Sequence, residues 1–130
     1  MCADARARTA LVVEDEALVR CLIVNLLQDH DWLVLEAGAG EDALDYLDHP
    51  IDVVFTDIQL AGSLNGWDVA EAARKADPEV HVIYTSGNTT NLSRKVERSR
   101  FFPKPYNCDQ VVAACHEFVA HNPSGPTRTG

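Results

Sequence analysis

Short apolar runs alternate with segments of helical periodicity along almost the whole chain, and this alternation is the strongest constraint on its fold. The apolar runs predict five strands: Ala10–Val13, Asp31–Glu36, Ile51–Thr56, Val80–Thr85 and Phe101–Phe102. The segments that follow them predict five helices: Ala17–Gln28, Gly40–Asp48, Trp67–Ala76, Thr90–Ser99 and Cys108–Ala120. The chain therefore consists of five strand-then-helix units.

Units of this kind predict a doubly wound α/β domain with a parallel sheet. The first, third and fourth predicted strands are mostly apolar rather than alternating, which is typical of strands covered by helices on both faces. Crossovers between parallel strands are right-handed, so few topologies remain. In such sheets the working site lies beyond the carboxyl ends of the strands. The residues that follow each strand are therefore the first candidates for function.

One domain accounts for the 130 residues, which are enough for a hydrophobic core. We predict a folded domain over residues 10–121, with flexible arms at residues 1–9 and 122–130. No run approaches the roughly 18 consecutive apolar residues of a membrane helix, and the N-terminus lacks the apolar core of a signal peptide. We therefore expect a cytoplasmic location and no membrane partner.

The formal net charge of −9 limits the partners that the chain can bind. An acidic surface repels nucleic-acid phosphates, so direct nucleic-acid binding is not expected. A dense cationic cluster interrupts this acidity, and it consists of Arg94, Lys95, Arg98 and Arg100. The expectation is an acidic protein with room for one local basic patch.

Polar side chains follow four of the five predicted strands. Glu14–Asp15 follows the first strand, Asp57 the third, Ser86 the fourth and Lys104 the fifth. Because the carboxyl ends of parallel strands share one edge of the sheet, we expect these side chains to converge. Taken singly, an aspartate after a strand is most often a cap or turn residue. The combination is far more specific than any one member.

Carboxylates brought together at this edge require a cation. Two like charges about 4 Å apart repel by about 4 kcal/mol at an effective dielectric constant near 20. Small sites lined by oxygen suit Mg²⁺. An anionic phosphoryl group can then approach Asp57, whose carboxylate attacks it. Lys104 and the Ser86 hydroxyl are the candidates to hold the remaining phosphoryl oxygens.

Five short motifs between about Ala10 and Ala120 resemble the receiver domain of two-component response regulators, the CheY-like family. The motifs are LVVEDE, FTDIQL, NGWD, VIYTSG and FPKPY. The resemblance implies a flavodoxin-like sheet of five parallel strands in the order 2-1-3-4-5, with five helices. It also implies that residues 10–121 form a receiver domain.

The resemblance assigns roles to the residues at the sheet edge. It implies that Asp57 is the phospho-acceptor and that Asp15 binds Mg²⁺ (or Mn²⁺) directly. Glu14 is implied to act on the ion through water, and the backbone carbonyl of Gln59 to supply a further ligand. The chain departs from the usual family pattern at Glu14, where the family usually has Asp.

Further residues match positions that transmit or limit the signal in the family. Ser86 takes the place of the switch hydroxyl, Phe101 that of the switch aromatic and Lys104 that of the family's lysine. Gln59 and Asn88 match positions that tune dephosphorylation. The loop LAGSLNG after Asp57 is one residue longer than the commonest family form and lacks its usual proline.

The resemblance implies a switch rather than an enzyme, with self-catalysed phosphoryl acceptance and hydrolysis only. The implied partners are a histidine kinase or histidine phosphotransfer protein and a downstream protein that contacts the fourth helix, fifth strand and fifth helix. We expect a monomer or weak dimer. The alternatives are a receiver fragment of a hybrid kinase or larger regulator, a phosphate-independent adaptor, and an Mg²⁺-dependent phosphatase. Phosphatases of the haloacid dehalogenase class need D-x-D at the nucleophile, but Asp57 begins Asp-Ile-Gln.

Overall fold

The computed structural model describes residues 8–87 and 92–121. The strands are β1 (Thr9–Val13), β2 (Leu33–Ala37), β3 (Val53–Asp57), β4 (His81–Ser86) and β5 (Ser99–Pro103). The helices among the described residues are α1 (Ala17–Asp29), α2 (Gly40–Leu44), α3 (Gly66–Ala76) and α4 (Cys108–His121). None of these helices is both long enough and apolar enough to cross a membrane.

The five strands form one sheet in the order β2-β1-β3-β4-β5, and every neighbouring pair is parallel. This confirms the predicted fold class and strand order. The order reverses beside β1, because the chain passes from β1 outward to β2 and then returns to β3 on the other side. Such a reversal opens a crevice at the carboxyl edge of the sheet, which is where ligands bind in this architecture.

Both faces of the sheet are covered by apolar packing. On one face, Ala10, Val12 and Phe55 of the central strands pack with residues of α1 and α4. On the other face, Leu11 and Val54 pack with residues of α2 and α3. All residues of β1 and β3 are buried, which explains why these strands read as continuous apolar runs. The core therefore holds the central strands rigidly up to their carboxyl ends.

The number of helices differs from the prediction. Among the described residues there are four helices rather than five, and the helix predicted over Thr90–Ser99 is not formed in the part that the structure describes. Residues 92–98 are irregular, with a turn at 93–94 and a bend at 97–98, and residues 88–91 lie outside the described residues. Two local features oppose a helix here. The segment has only a weak apolar stripe, and Arg98 takes a left-handed backbone conformation with φ of 55°, which interrupts a right-handed helix.

Specific contacts hold the turn segment, residues 92–98, against α3 and β4. The Arg94 guanidinium pairs with Asp68 at 3.0 Å and with Glu71 at 2.8 Å, both on α3. The Val96 N–H donates to the hydroxyl of Tyr84 at 3.1 Å. Tyr84 is fully buried, and its ring centroid lies 4.8 Å from that of Trp67. These contacts thus hold the turn segment in place of the backbone hydrogen bonds that a helix would form.

We predict that Tyr84→Phe destabilises the fold by about 1 kcal/mol, because the ring remains but the Val96 N–H loses its acceptor. Urea denaturation of both proteins measures this difference. The amide hydrogen of Val96 should exchange faster in the variant, while amides in β1 should change only with global stability. An unchanged Val96 exchange rate would show that the hydroxyl does not hold the turn segment.

Candidate functional site

Asp57 is the last residue of β3, and only 4% of it is exposed. The N–H of Gln59 donates to Asp57 Oδ1 at 3.1 Å, and the Thr56 hydroxyl donates to the Asp57 carbonyl oxygen at 2.8 Å. These bonds fix the orientation of the Asp57 carboxylate at the end of the strand. A buried carboxylate is costly unless it is paired, so the neighbouring charges decide its state.

Glu14 follows β1 and is completely buried. Its Oε2 accepts a hydrogen bond from the Glu16 N–H at 3.1 Å, while its own N–H donates to the Ala37 carbonyl of β2 at 3.0 Å. Burial raises the pKa of the Glu14 carboxyl; the bond from Glu16 opposes this shift, and the nearby Asp57 charge adds to it. A charged Glu14 therefore depends on a cation at close range.

Lys104 supplies that cation. Its Nζ lies 2.7 Å from Asp57 Oδ2, 3.1 Å from Glu14 Oε1 and 3.7 Å from Glu16 Oε1. The Lys104 N–H donates to the Ser86 carbonyl at 2.9 Å, which sets the residue beside the end of β4. Burial alone would lower the pKa of Lys104, but hydrogen bonds to Asp57 and Glu14 outweigh it and the net shift is upward. The ammonium thus stays charged among three carboxylates.

Three carboxylates form a candidate metal centre. Glu14, Asp15 and Asp57 each offer one oxygen, and these oxygens lie within 4.8 Å of one another. Asp15 is exposed, and its Oδ2 accepts a hydrogen bond from the Ala61 N–H at 3.2 Å. A small set of oxygen donors with one side open to solvent suits Mg²⁺ or Mn²⁺, which prefer oxygen ligands and retain several waters. The residues present therefore fit the predicted ion.

The NGWD motif locks the start of α3 against the site. Asn65 and Asp68 form a reciprocal capping box at the N-terminus of the helix. Gly66 lies so close to β3 that a Cβ at this position would sit 2.3 Å from the Asp57 carbonyl oxygen. Only glycine fits such an approach. Trp67 packs on Tyr84, so each residue of the motif has a physical role.

The structure gives fewer contacts for the remaining predicted site residues. Ser86 is buried at the end of β4, beside the Lys104 backbone. Phe101 pairs with Tyr84 in the sheet, is half-buried, and packs against the apolar cluster on the α3 face. The backbone N–H of Gln59 is fixed by Asp57, and the ligand role of its carbonyl stays a prediction. Asn88 lies outside the described residues.

Three polar side chains beside the site, those of Arg20, Thr85 and Tyr106, had no role predicted from the sequence. Arg20 of α1 donates from Nη1 to the Glu14 carbonyl at 2.7 Å. Tyr106, which packs edge-on against Phe55, has a buried hydroxyl with no hydrogen-bond partner among the described residues, and the same holds for the Thr85 hydroxyl. Burial raises the pKa of Tyr106 well above its ordinary value. FPKPY contained Tyr106, whereas no signal in the sequence marked Arg20.

A clasp between α2 and the loop after β3 holds the longer loop in place. The Ser63 hydroxyl donates to Glu41 Oε2 at 2.5 Å, and the Ser63 N–H donates to the same oxygen at 3.2 Å. The adjacent Gly62 has φ of +96°, a conformation that favours glycine. Together with the bond from Ala61 to Asp15, the clasp fixes the loop at two points.

We predict that Glu41→Gln loosens this loop, because the neutral amide is a weaker acceptor than the carboxylate. The amide hydrogen of Ser63 should exchange severalfold faster at neutral pH, as measured by NMR. The Ser63 hydroxyl lowers the pKa of Glu41, so the carboxylate's contribution is present above its ordinary pKa and is lost as the pH falls through the lowered value. Equal exchange rates at neutral pH would contradict the clasp. Glu79→Gln, on the exposed α3–β4 connection, is the charge-matched control.

Comparisons with known proteins agree with this geometry. The family model described as "Response regulator receiver domain" matches residues 10–116. A solved structure, the response regulator receiver protein from Sinorhizobium medicae WSM419, is 31% identical with a TM-score of 0.84, and the match covers 88% of this chain and 96% of that one.

Known full-length proteins match over part of their length. The sensor kinase CckA of Brucella abortus (strain 2308) is 29% identical over 85% of this chain, which spans 12% of that protein. The transcriptional regulatory protein CpxR of Escherichia coli (strain K12) is 31% identical over 79% of this chain, which spans 45% of CpxR. The chain is thus similar to one segment within proteins of different overall organisation.

Proposed function

This chain belongs to the response regulator receiver domain family, and we propose that Asp57 is its phospho-acceptor in a two-component or phosphorelay system. The observation that carries the proposal is the contact of Lys104 with Asp57 and Glu14, next to the open carboxylate of Asp15. This set combines a nucleophile, a fixed positive charge and a cation site, which are the components that phosphoryl transfer needs.

The chain's own residues supply positioning and charge. An Asp57 carboxylate oxygen attacks phosphorus, forming an acyl phosphate, while the donor's bond to phosphorus breaks and its electron pair leaves with the donor. Lys104 then exchanges part of its contact with Asp57 for the new phosphoryl oxygens. Glu14, Asp15 and Asp57 would hold Mg²⁺ (or Mn²⁺), with the Gln59 carbonyl as a further ligand; the ion supplies positive charge against the phosphoryl oxygens.

Ser86 and Phe101 are the proposed switch. A phosphoryl group on Asp57 adds roughly −2 of charge and strong acceptor oxygens, which attract the Ser86 hydroxyl. Movement of Ser86 frees space on the face where Phe101 is already half-buried. Shifting a two-state equilibrium from 1:99 to 99:1 takes about 5.5 kcal/mol, and charge-assisted hydrogen bonds at roughly 1.5–3 kcal/mol each reach that total.

Family membership supports a proposal for the partners of this switch. The phosphodonor is a histidine kinase or histidine phosphotransfer protein, and the downstream protein contacts the face formed by the turn segment, β5 and α4. The protein acts in the cytoplasm as a monomer or weak dimer. Hydrolysis of the acyl phosphate is self-catalysed, with Gln59 and Asn88 tuning its rate.

Phosphorylation by a small phosphodonor tests the proposal. Wild-type protein is incubated with the donor, with and without Mg²⁺, and its intact mass is measured. We expect one added phosphoryl group that requires Mg²⁺, is released by hydroxylamine as an acyl phosphate, and maps to the peptide containing Asp57. Absence of this group under both conditions, or its location on another residue, would overturn the proposal.

A further inference from the structure

A shallow cleft, widely open to solvent, lies between α3 and the turn segment, away from the carboxyl edge of the sheet. Its volume is about 660 Å³. The lining includes four cations and two carboxylates: Arg74, Arg94, Lys95, Arg98, Glu71 and Glu97. Pro78 and Val96 add apolar surface. A cationic lining is unexpected in a protein of net charge −9.

Arg94 does not contribute to the excess positive charge of the cleft. Its guanidinium is bound by Glu71 and Asp68 through three hydrogen bonds. These contacts attach the turn segment to α3 and neutralise Arg94 at the same time. The carboxylate of Glu71 is used in that pair, so it cannot offset the other cations of the cleft.

Arg74 and Arg98 carry the excess charge. Arg74 donates to the Val80 and Arg98 carbonyls at 2.6 and 3.0 Å, and Arg98 donates to the Pro78 carbonyl at 2.7 Å. Within residues 8–87 and 92–121, neither guanidinium has a carboxylate within ion-pair distance, and the same holds for Lys95. Burial lowers the pKa of Arg74, and the nearby charge of Arg98 lowers it further. The carboxylates of Glu79 and Glu97 oppose this shift from beyond ion-pair distance, so among the described residues the two guanidinium groups lie together with only distant counter-charges.

We propose that this cleft binds an acidic segment of a partner protein, whose carboxylates lie between Arg74 and Arg98 with Lys95 at the rim. Guanidinium groups held by carbonyls keep free N–H donors in a fixed direction, and they match the planar carboxylate. The apolar surface of Val96 and Pro78 suits a polypeptide better than a free ion. The net charge of −9 opposes any long polyanion, a nucleic acid included, so the proposed occupant is a short acidic segment.

The inference does not depend on phosphorylation of Asp57. The cleft residues are distinct from the carboxylates and the lysine of the site, so binding should occur in the unphosphorylated protein. The two proposals can therefore fail separately: Asp57→Asn should leave the cleft unchanged, and loss of binding in a cleft variant should leave phosphoryl acceptance unchanged.

An NMR titration with hexaglutamate tests the inference. The full chain is labelled with ¹⁵N and titrated at low ionic strength, because screening weakens exposed charge pairs. We expect shifts in the amides of residues 93–98 and at the C-terminal end of α3. Arg98→Asn removes the guanidinium while tolerating the left-handed backbone at this position, and Lys95→Gln removes a rim charge from an unpaired side chain.

Each cleft variant should weaken hexaglutamate binding by up to about fivefold, the range of one exposed ion pair. Arg100→Gln is the matched control, since Arg100 pairs with Glu117 outside the cleft and its loss should change affinity little. Three results would overturn the inference: shifts absent from the cleft, equal weakening by Arg100→Gln, or tighter binding of a single-stranded oligonucleotide that Arg98→Asn and Lys95→Gln abolish.

Discussion

Asp57→Asn should abolish phosphoryl acceptance from small donors, lowering the rate roughly a hundredfold or more, because a neutral amide is a poor nucleophile. The substitution is nearly isosteric, and the single amide oxygen can keep one of the two bonds that the carboxylate receives, either the one from Gln59 at Oδ1 or the one from Lys104 at Oδ2. The fold should therefore persist. Intact-mass measurement of the phosphorylated fraction over time gives the rate for each protein.

Asp52→Asn is the matched control for this experiment. Asp52 precedes β3 at the opposite end of the strand, and its Oδ2 accepts a bond from the Thr9 N–H at 2.8 Å that an amide oxygen can also accept. This variant loses the same charge and should be phosphorylated like the wild type. Equal labelling of Asp57→Asn and Asp52→Asn would exclude Asp57 as the acceptor.

Lys104→Met should destabilise the fold at neutral pH by about 3 kcal/mol, because it leaves the buried Glu14 and Asp57 charges without their cation. This value is at the low end for a broken buried pair, since 22% of the Lys104 side chain is exposed. Urea denaturation without divalent ions measures the effect. Lys75→Met, on the exposed face of α3, is the control and should change stability by less than about 1 kcal/mol.

The loss in Lys104→Met should depend on pH with a definite sign. The pKa of Glu14 is raised in the folded state. The contribution of Glu14 to the free energy of unfolding is therefore most favourable below its ordinary pKa, where the carboxyl is neutral, and is lost as the pH rises through the raised value. The destabilisation by Lys104→Met should therefore be greatest near neutral pH and shrink as the pH falls towards the ordinary range of glutamate. A loss of equal size at every pH would show that the lysine acts through packing alone.

Glu14→Gln in the Lys104→Met background provides a second check. Removing the uncompensated carboxylate should restore part of the stability at neutral pH, because the neutral amide tolerates burial better than a charge. Mg²⁺ should also stabilise Lys104→Met if the carboxylates bind it, since ligands that bind only the folded state raise the free energy of unfolding. A double variant no more stable than Lys104→Met would contradict the assigned charge balance.

The site could be predicted because it depends on topology rather than detail. In a parallel sheet the carboxyl ends of the strands share one edge, so Glu14, Asp57 and Lys104 must meet there whatever the loops do. The same argument predicted that these clustered carboxylates need a nearby cation. The strand order followed from the family resemblance and is confirmed, with strand and helix limits shifted by a few residues.

The parts that could not be predicted depend on contacts between distant residues. Residues 92–98 had the weakest apolar stripe. Their conformation is set by the ion pairs of Arg94 with α3 and by the hydrogen bond to the Tyr84 hydroxyl. The helix propensity of a segment does not reveal its contacts with side chains distant in the sequence. The clasp joins Glu41 and Ser63, which are 22 positions apart, and no pattern in either segment marks the pair.

One hydrogen bond closes the loop after Asp57 at its base. The Gly66 N–H donates to the Ile58 carbonyl at 2.8 Å. Ile58 directly follows β3 and Gly66 begins α3, so residues between Gln59 and Asn65 can change in number without displacing the Asp57 carboxylate. Doubling the length of a flexible loop costs only about 0.6 kcal/mol of closure entropy. This closed loop can therefore accommodate insertions that preserve the contacts of Gln59, Ala61 and Ser63, and it is a suitable position for grafting an affinity tag or reporter peptide.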